Sequence, residues 1–337
     1  MTQTQRSDAV HTFSVVIATR NRAALLAQTL EALLVQDWPA GRFEIVVADN
    51  GSSDDTADVV ARAAAQVGAP LVRYLFVSDP GKSAAVNQAL AMAEGSLIAL
   101  TDDDVQPEQE WLRSLADAFD DAAVDFVAGR VLPLWEVEPP EWLSPSVYGV
   151  IAVPDNGDVR LPISTDHHQV VPIGANMAVR RAVVERLGGL RLDLGKLDGS
   201  ARTGEDHEFF LRMLQAGYRG RYEPTAVVHH RVGSERLDRS YFRRWLHQNG
   251  RDVARLDAAY ESAVPHLLGV PRFLWRQAAG DVMSLLLAAI RRAPAARFSA
   301  TGRLCWFAGY VREAWFATER LRAARAAAPR PFVSEAN

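Results

Sequence analysis

Apolar and polar positions come in alternating blocks along the first 130 or so residues. Phe13 to Ala18 is an unbroken apolar run, the pattern of a strand covered on both faces. Ala23 to Gln36 then sets Leu26, Leu30, Leu33 and Leu34 on a helical stripe. The exchange repeats three times. Strand patterns at Phe43 to Ala48, Leu71 to Val77 and Leu97 to Thr101 are followed by helical ones from about Thr56 to Val67, Ser83 to Ala93 and Glu108 to Phe119. Ser52-Ser53-Asp54-Asp55 offers capping chemistry to the second helix, and Pro80-Gly81 breaks the chain before the third. Repeated βαβ units of this length predict an α/β fold with a right-handed, Rossmann-like, doubly wound and mostly parallel sheet.

The pattern then changes twice. Residues 132–200 are rich in Pro, Gly and Trp, with turn signals at Pro139-Pro140-Glu141-Trp142 and Pro154-Asp155-Asn156-Gly157. Apolar residues persist there, so the region reads as a substrate-facing insertion and not as a linker. Beyond about Arg236 the chain becomes helical and amphipathic. These shifts divide it into an α/β domain over 11–235, with halves 11–131 and 132–235, and a helical C-terminal region over 236–328.

Open α/β sheets bind ligands beyond the C-terminal ends of their strands. Those ends are Thr19-Arg20-Asn21, Asp49-Asn50-Gly51, Ser78-Asp79 and Asp102-Asp103-Asp104, all polar. The last is the most telling. Three adjacent carboxylates repel one another unless a cation sits among them. Oxygen ligands of this kind suit Mg²⁺ or Mn²⁺, which keep positions open for waters and phosphate oxygens. The plain alternative is a solvated acidic turn capping the helix after Pro107.

With 337 residues, 48% of them apolar, the chain can bury a large core. Cys305 is the single cysteine, which excludes an intramolecular disulfide and suits a reducing cytoplasm. The polar stretch Met1 to Thr12 predicts no signal peptide. Charge is unevenly spread: residues 240–330 carry 15 arginines against six acidic residues, whereas residues 1–239 hold 34 acidic against 22 basic side chains. A basic tail bearing Trp275, Trp306 and Trp315 fits helices on an anionic inner-membrane surface. It fits equally well helices packed on the α/β domain or across a homodimer. The apolar run Ala278 to Ile290, interrupted by Asp281, falls short of the roughly 20 residues a bilayer span needs, so no transmembrane helix is predicted.

Taken in order, the motifs resemble those of family 2 glycosyltransferases with the GT-A fold, over about Phe13 to Val232. The matching pieces are Ser14 to Arg22, Val47 to Thr56, Lys82 and Asn87 before Ala93-Glu94-Gly95, the triple aspartate, Gly174-Ala175-Asn176, Gly204-Glu205-Asp206, and His229-His230. The resemblance implies a nucleotide-sugar half over 11–131 and an acceptor half over 132–235. It implies that Asp49 meets the base of a nucleotide-diphosphate sugar, with Ala18, Thr19 and Arg20 lining the same pocket and Lys82 near the diphosphate. Asp104 is then the foremost ligand of an Mn²⁺ or Mg²⁺ ion, Asp103 lies near the ribose, and Asp102 supports both. A later histidine joins the metal. Strand alternation sends His229 and His230 to opposite faces, and His230 is the one expected inward. Asp206 is implied as the base that deprotonates the acceptor hydroxyl in an inverting transfer, with Glu205 the runner-up. Gly174-Ala175-Asn176 would wall the acceptor side, and Trp135 and Trp142 either stack on sugars or belong to the core.

A nicotinamide-dependent oxidoreductase is disfavoured because no glycine fingerprint follows the first strand. A nucleotidyltransferase would need a glycine-rich basic loop at the same place. A glycoside hydrolase would use paired carboxylates, yet it leaves the clustered aspartates and late histidines unexplained. The reading is therefore a metal-dependent glycosyltransferase. Its donor is expected to be UDP-linked, with dTDP- and GDP-linked donors open, and its acceptor a glycan, a lipid-linked sugar or a small molecule. Nucleic acid is not an expected partner. The alternative is a catalytically silent sugar-nucleotide or glycan binder.

Overall fold

A computed structural model of the chain describes residues 11–167, 169–194, 204–260 and 264–316. The apolar run at the start forms β1 (Phe13–Thr19), followed by α1 (Ala23–Leu34), β2 (Phe43–Asp49), α2 (Thr56–Ala64), β3 (Leu71–Phe76), α3 (Lys82–Met92) and β4 (Leu97–Asp102). β1 pairs in parallel with β2 and β4, and β2 in parallel with β3. Every residue of β2 is buried because it lies between two strands and two helical layers, whereas the edge strand β3 leaves Leu71, Tyr74 and Phe76 open. Asp54, not Asp55, does the capping here. One of its oxygens accepts from the Thr56 N–H and hydroxyl, and the other from the Ala23 N–H that opens α1.

After the aspartates come β5 (Val105–Pro107), α4 (Trp111–Phe119), β6 (Phe126–Trp135), β7 (Leu161–Ile163), β8 (Met177–Arg180), α5 (Arg181–Leu187), α6 (Glu205–Gln215) and β9 (Gly220–Val232). The helix expected from Glu108 starts three residues later, since Val105–Pro107 is drawn into the sheet opposite Val228 to His230. The sheet runs β3-β2-β1-β4-β8-β6-β9-β5, with β7 also on β9. It is parallel in its first half, but β8 lies antiparallel between β4 and β6. Four-residue β8 and three-residue β7 are too short to show a period, so the sequence pattern reads their region as irregular.

The helices cover both sheet faces. On one side Leu26, Leu30 and Leu33 of α1 meet Trp111, Leu115 and Phe119 of α4. On the other, Ala85, Val86 and Ala89 of α3 join Phe209, Phe210 and Met213 of α6. Each fully buried Leu or Phe is worth about 1.5–3 kcal/mol relative to exposure.

The described residues fall into two compact units. The first draws on residues up to 138, 151–194 and 205–235, and the second on 139–150, 204 and those from 236 onward. The second unit contains α7 (Arg239–Ala259), the short hairpin β10 (His266–Leu267) and β11 (Val270–Pro271), α8 (Arg272–Ile290) and α9 (Pro294–Phe316). Asp238 caps α7 by accepting the Tyr241 N–H. α7 and α9 touch through backbone. A Cβ on Gly250 would lie 2.0 Å from the Trp306 carbonyl oxygen, and one on Gly309 equally close to that of His247. Trp142 belongs to this unit's core, edge-on to Phe242 and against Phe298, with Arg239 over its ring. It is not a sugar platform.

α8 runs 19 residues from Arg272, and by length and composition alone it could cross a bilayer. Asp281, which interrupts its apolar run, turns inward to Arg303 of α9, at 2.6 Å. The remainder of the helical region expected to reach 328 lies outside the described residues.

Candidate active site

β4 delivers its aspartates to the C-terminal edge of the parallel strands, and the chain turns directly into β5. The antiparallel register of β5 on β9 sets Val105 opposite His230, and the Arg231 N–H donates to the Asp104 carbonyl oxygen at 3.0 Å. This pairing across more than a hundred residues puts His230 Nε2 3.5 Å from Asp104 Oδ1. His230 is buried. His229, on the opposite face of β9, meets Glu108 at the surface. Asp102, Asp104 and His230 each offer a ligand atom, all within 4.8 Å of one another. Two carboxylates and an imidazole form a donor set that fits a divalent ion.

The three carboxylates divide by partner. Asp102 accepts from the Lys82 ammonium, which holds it below the usual carboxylate range against the effect of burial. Asp103 is pushed up to about 6, chiefly by burial, although Arg22 and the Thr19 hydroxyl oppose this. The Arg22 guanidinium spans Asp103 and Asp104, reaching Asp104 at 2.9 Å. Arg22 stood in the first motif but was not a candidate site residue. It lies 81 and 82 residues from Asp103 and Asp104 in sequence, and their meeting becomes legible only when β1 is set beside β4.

Lys82 ties the aspartates to a second acidic pair. Burial pulls its ammonium down, but Asp102, Asp206 and Glu205 together raise it above the ordinary lysine range. Its position follows from Asn50, whose amide donates to the Asp79 carbonyl oxygen at 2.6 Å and accepts the Gly81 N–H at 2.8 Å, fixing the turn before α3. Glu205 opens α6. Burial and the neighbouring Asp206 push its carboxyl up to about 7. Asp206 accepts the Gly174 N–H at 2.8 Å, and a Cβ on Gly174 would come within 3.0 Å of that carboxylate. Glycine permits this approach.

Elsewhere the motifs separate into site and scaffold. Asp49 is buried at the end of β2, accepting the Ser52 N–H at 2.8 Å and the Tyr74 hydroxyl at 2.7 Å. Tyr74 was missed by sequence reasoning, since an aromatic in an edge strand gives no distinguishing signal. Ala18 is half-buried in the sheet between Ala48 and Asp102, while Thr19, opposite Asp49, turns its hydroxyl to Asp103, and Arg20 is exposed. Asn176 does not wall an acceptor site. Its side chain is buried, accepting the Trp111 indole N–H and donating to the Arg130 and Ala226 carbonyls, so it clamps α4, β6 and β9. Trp135 is half-buried at the end of β6.

Residues 14–188 match the model of the family described as Glycosyl transferase family 2. The chain is 31% identical over 219 residues to the pre-mycofactocin glycosyltransferase of Mycobacterium tuberculosis, covering 64% of this chain and 42% of that protein. It is 28% identical over 223 residues to the probable glycosyltransferase YdaM of Bacillus subtilis, covering 64% and 49%. The chain thus spans less than half the length of these relatives. Among solved structures, the mannosyltransferase PcManGT from Pyrobaculum calidifontis, in complex with GDP-Man and Mn²⁺, superposes with a TM-score of 0.61 at 21% identity, covering 91% of this chain and 88% of that one. Residues 1–349 of Staphylococcus aureus TarS superpose with a TM-score of 0.52 at 18% identity, covering 87% and 90%. These two likenesses concern the fold. The family model spans half of the sequence, including the strand edges and the aspartates, and the chain belongs to glycosyl transferase family 2.

Proposed function

We propose that this protein is a metal-assisted, inverting glycosyltransferase that moves a sugar from a nucleotide-diphosphate sugar to an acceptor hydroxyl. The observation that carries the reading is the meeting of Asp102, Asp104 and His230 at the parallel-strand edge, with Lys82 joining them electrostatically to Glu205 and Asp206. Asp49, held by Ser52 and Tyr74, would accept a donor from the base edge, the imide N–H of a uracil being well matched to a carboxylate. Solved relatives of the same fold hold GDP-Man with Mn²⁺ or UDP-GlcNAc, which supports a nucleotide sugar as the donor class. The UDP-linked form is our choice of donor.

Asp102, Asp104 and His230 would hold the ion, and the imidazole favours Mn²⁺ over Mg²⁺. When bound, the ion supplies Lewis-acid stabilisation to the departing diphosphate. Lys82 adds positive charge on the same side. Asp206 takes the proton of the acceptor hydroxyl as its oxygen bonds to the anomeric carbon and the carbon–phosphate-oxygen bond breaks, releasing the nucleoside diphosphate. One displacement with one base inverts the anomeric centre. Gly174 orients Asp206 for this step.

Donor hydrolysis and nucleotide binding across a panel of sugar nucleotides test the reading, with Mn²⁺, Mg²⁺ or chelator, for wild type and Asp104→Ala. Metal-dependent turnover of one donor, lost in the variant, is expected. Tight nucleotide binding without turnover of any donor would make the protein a sugar-nucleotide binder.

A further inference from the structure

Helix α8 is turned inside out for a helix facing water. Its packed face consists of Leu274, Ala278, Asp281 and Ala288, so its one acidic residue points inward. Val282, Met283, Leu286, Leu287 and Ile290 lie outward at spacings of one, three and four, a continuous helical stripe. Met283 is 57% exposed, Leu286 55% and Ile290 79%, values that decide against their being a second core face. The stripe is extended at the helix start by Phe273 and by the tip of the β10–β11 hairpin, where Leu268 is 68% exposed. That tip is pinned. The Trp275 indole donates to the Leu267 carbonyl and the Trp315 indole to that of Leu268. Leu268 also holds a left-handed backbone, φ 54°, a costly conformation for leucine.

Charge decides what this face meets. Residues 264–316 contain seven arginines and two acidic residues. Both acids are buried and internally paired, Asp281 with Arg303 and Glu313 with Arg251 and Arg255. Arg272 and Arg276 at one end of α8, and Arg291, Arg292 and Arg297 beyond the other, are exposed. The surface is thus an apolar strip with positive ends and no exposed acid. A second copy docking face to face would set these arginine groups against one another with nothing to neutralise them.

We propose that this face docks on an anionic phospholipid bilayer, with α8 lying in the membrane plane. The outward leucines and isoleucine enter the headgroup–acyl boundary, and the flanking arginines meet lipid phosphates. A spanning arrangement is disfavoured by the packed face. It would carry the Asp281–Arg303 pair to mid-membrane, together with α9, which packs on the arginine-rich α7.

The test is flotation of the full chain with phosphatidylcholine vesicles, with and without phosphatidylglycerol, alongside sedimentation of the protein alone. It uses no transferase activity, so its failure is separate from failure of the proposed function. The wild type should float only with the anionic vesicles, and salt should release it. An arginine near such a surface is worth about fivefold in partitioning, so Arg291→Gln with Arg292→Gln should weaken binding roughly 25-fold. Leu286→Glu with Ile290→Glu should abolish it while leaving the far-UV spectrum and melting temperature unchanged, because both side chains are exposed. The arginine pair remains decisive if the glutamate pair disturbs folding. Absence of wild-type flotation, or unchanged flotation of the arginine variant, would overturn the proposal. So would resistance to alkaline extraction, which means spanning, or a wild-type dimer that the glutamate pair dissociates, which means a second copy.

Discussion

Glu205 and Asp206 are adjacent carboxylates with unequal surroundings. Glu205 is buried and raised to about 7, whereas Asp206 is anchored by a backbone N–H. Asp206→Asn should lower transfer about 10²–10⁴-fold with little change in donor binding, measured as kcat at saturating donor. Glu205→Gln should leave appreciable activity but alter the pH response of stability. A carboxyl raised from 4.5 to about 7 on folding contributes stability at low pH that is lost as pH rises through that interval. Urea titrations from pH 4.5 to 8 should therefore show a fall in wild-type stability that is shallower in the glutamine variant, where only Asp103, raised to about 6, still contributes to it; equal slopes would remove Glu205 as a source. Tyr74 is the other residue-scale test. Without its hydroxyl, Asp49 loses one of its two observed donors, and Tyr74→Phe should bind uridine diphosphate about tenfold more weakly by calorimetry, equivalent to about 1.4 kcal/mol.

Elements are joined mainly by buried apolar faces, but Asn176 is an exception with large leverage. Its one side chain satisfies the Trp111 indole and two strand carbonyls. Asn176→Ala leaves these groups buried without that partner, and the loss should be about 3 kcal/mol or more in urea denaturation. The motif Gly174-Ala175-Asn176 was legible in the sequence, yet its division of labour was not. The glycine serves Asp206 and the asparagine serves the scaffold. A linear spacing says nothing about which side of a strand end a residue faces once a short antiparallel strand intervenes.

At the scale of the molecule, the aspartate cluster is held by Arg22, Lys82 and His230, contributed by three separate elements. A divalent ion that binds this folded cluster stabilises it by mass action, about 2.7 kcal/mol at a hundredfold excess over its dissociation constant. Mn²⁺ with a nucleoside diphosphate should accordingly raise the melting temperature of the wild type. Asp104→Ala should abolish the rise, and chelator should reverse it. An identical shift in the variant would place ion binding elsewhere.

The sequence alone determined the alternating βαβ start, the polar strand edges, the triple aspartate and the helical, arginine-rich end. These depend on local periodicity and on charge, which a chain displays before it folds. Among the described residues, tertiary structure alone decided which distant groups meet. β8 reverses the sheet, β5 carries His230 to Asp104, and β1 beside β4 carries Arg22 to the carboxylates. It also turned Asp281 inward and the apolar residues of α8 outward, an inversion hidden from hydropathy because both faces of that helix are apolar. Register and pairing are non-local. Their energies come from contacts between segments a hundred residues apart, and no window along the chain contains both partners.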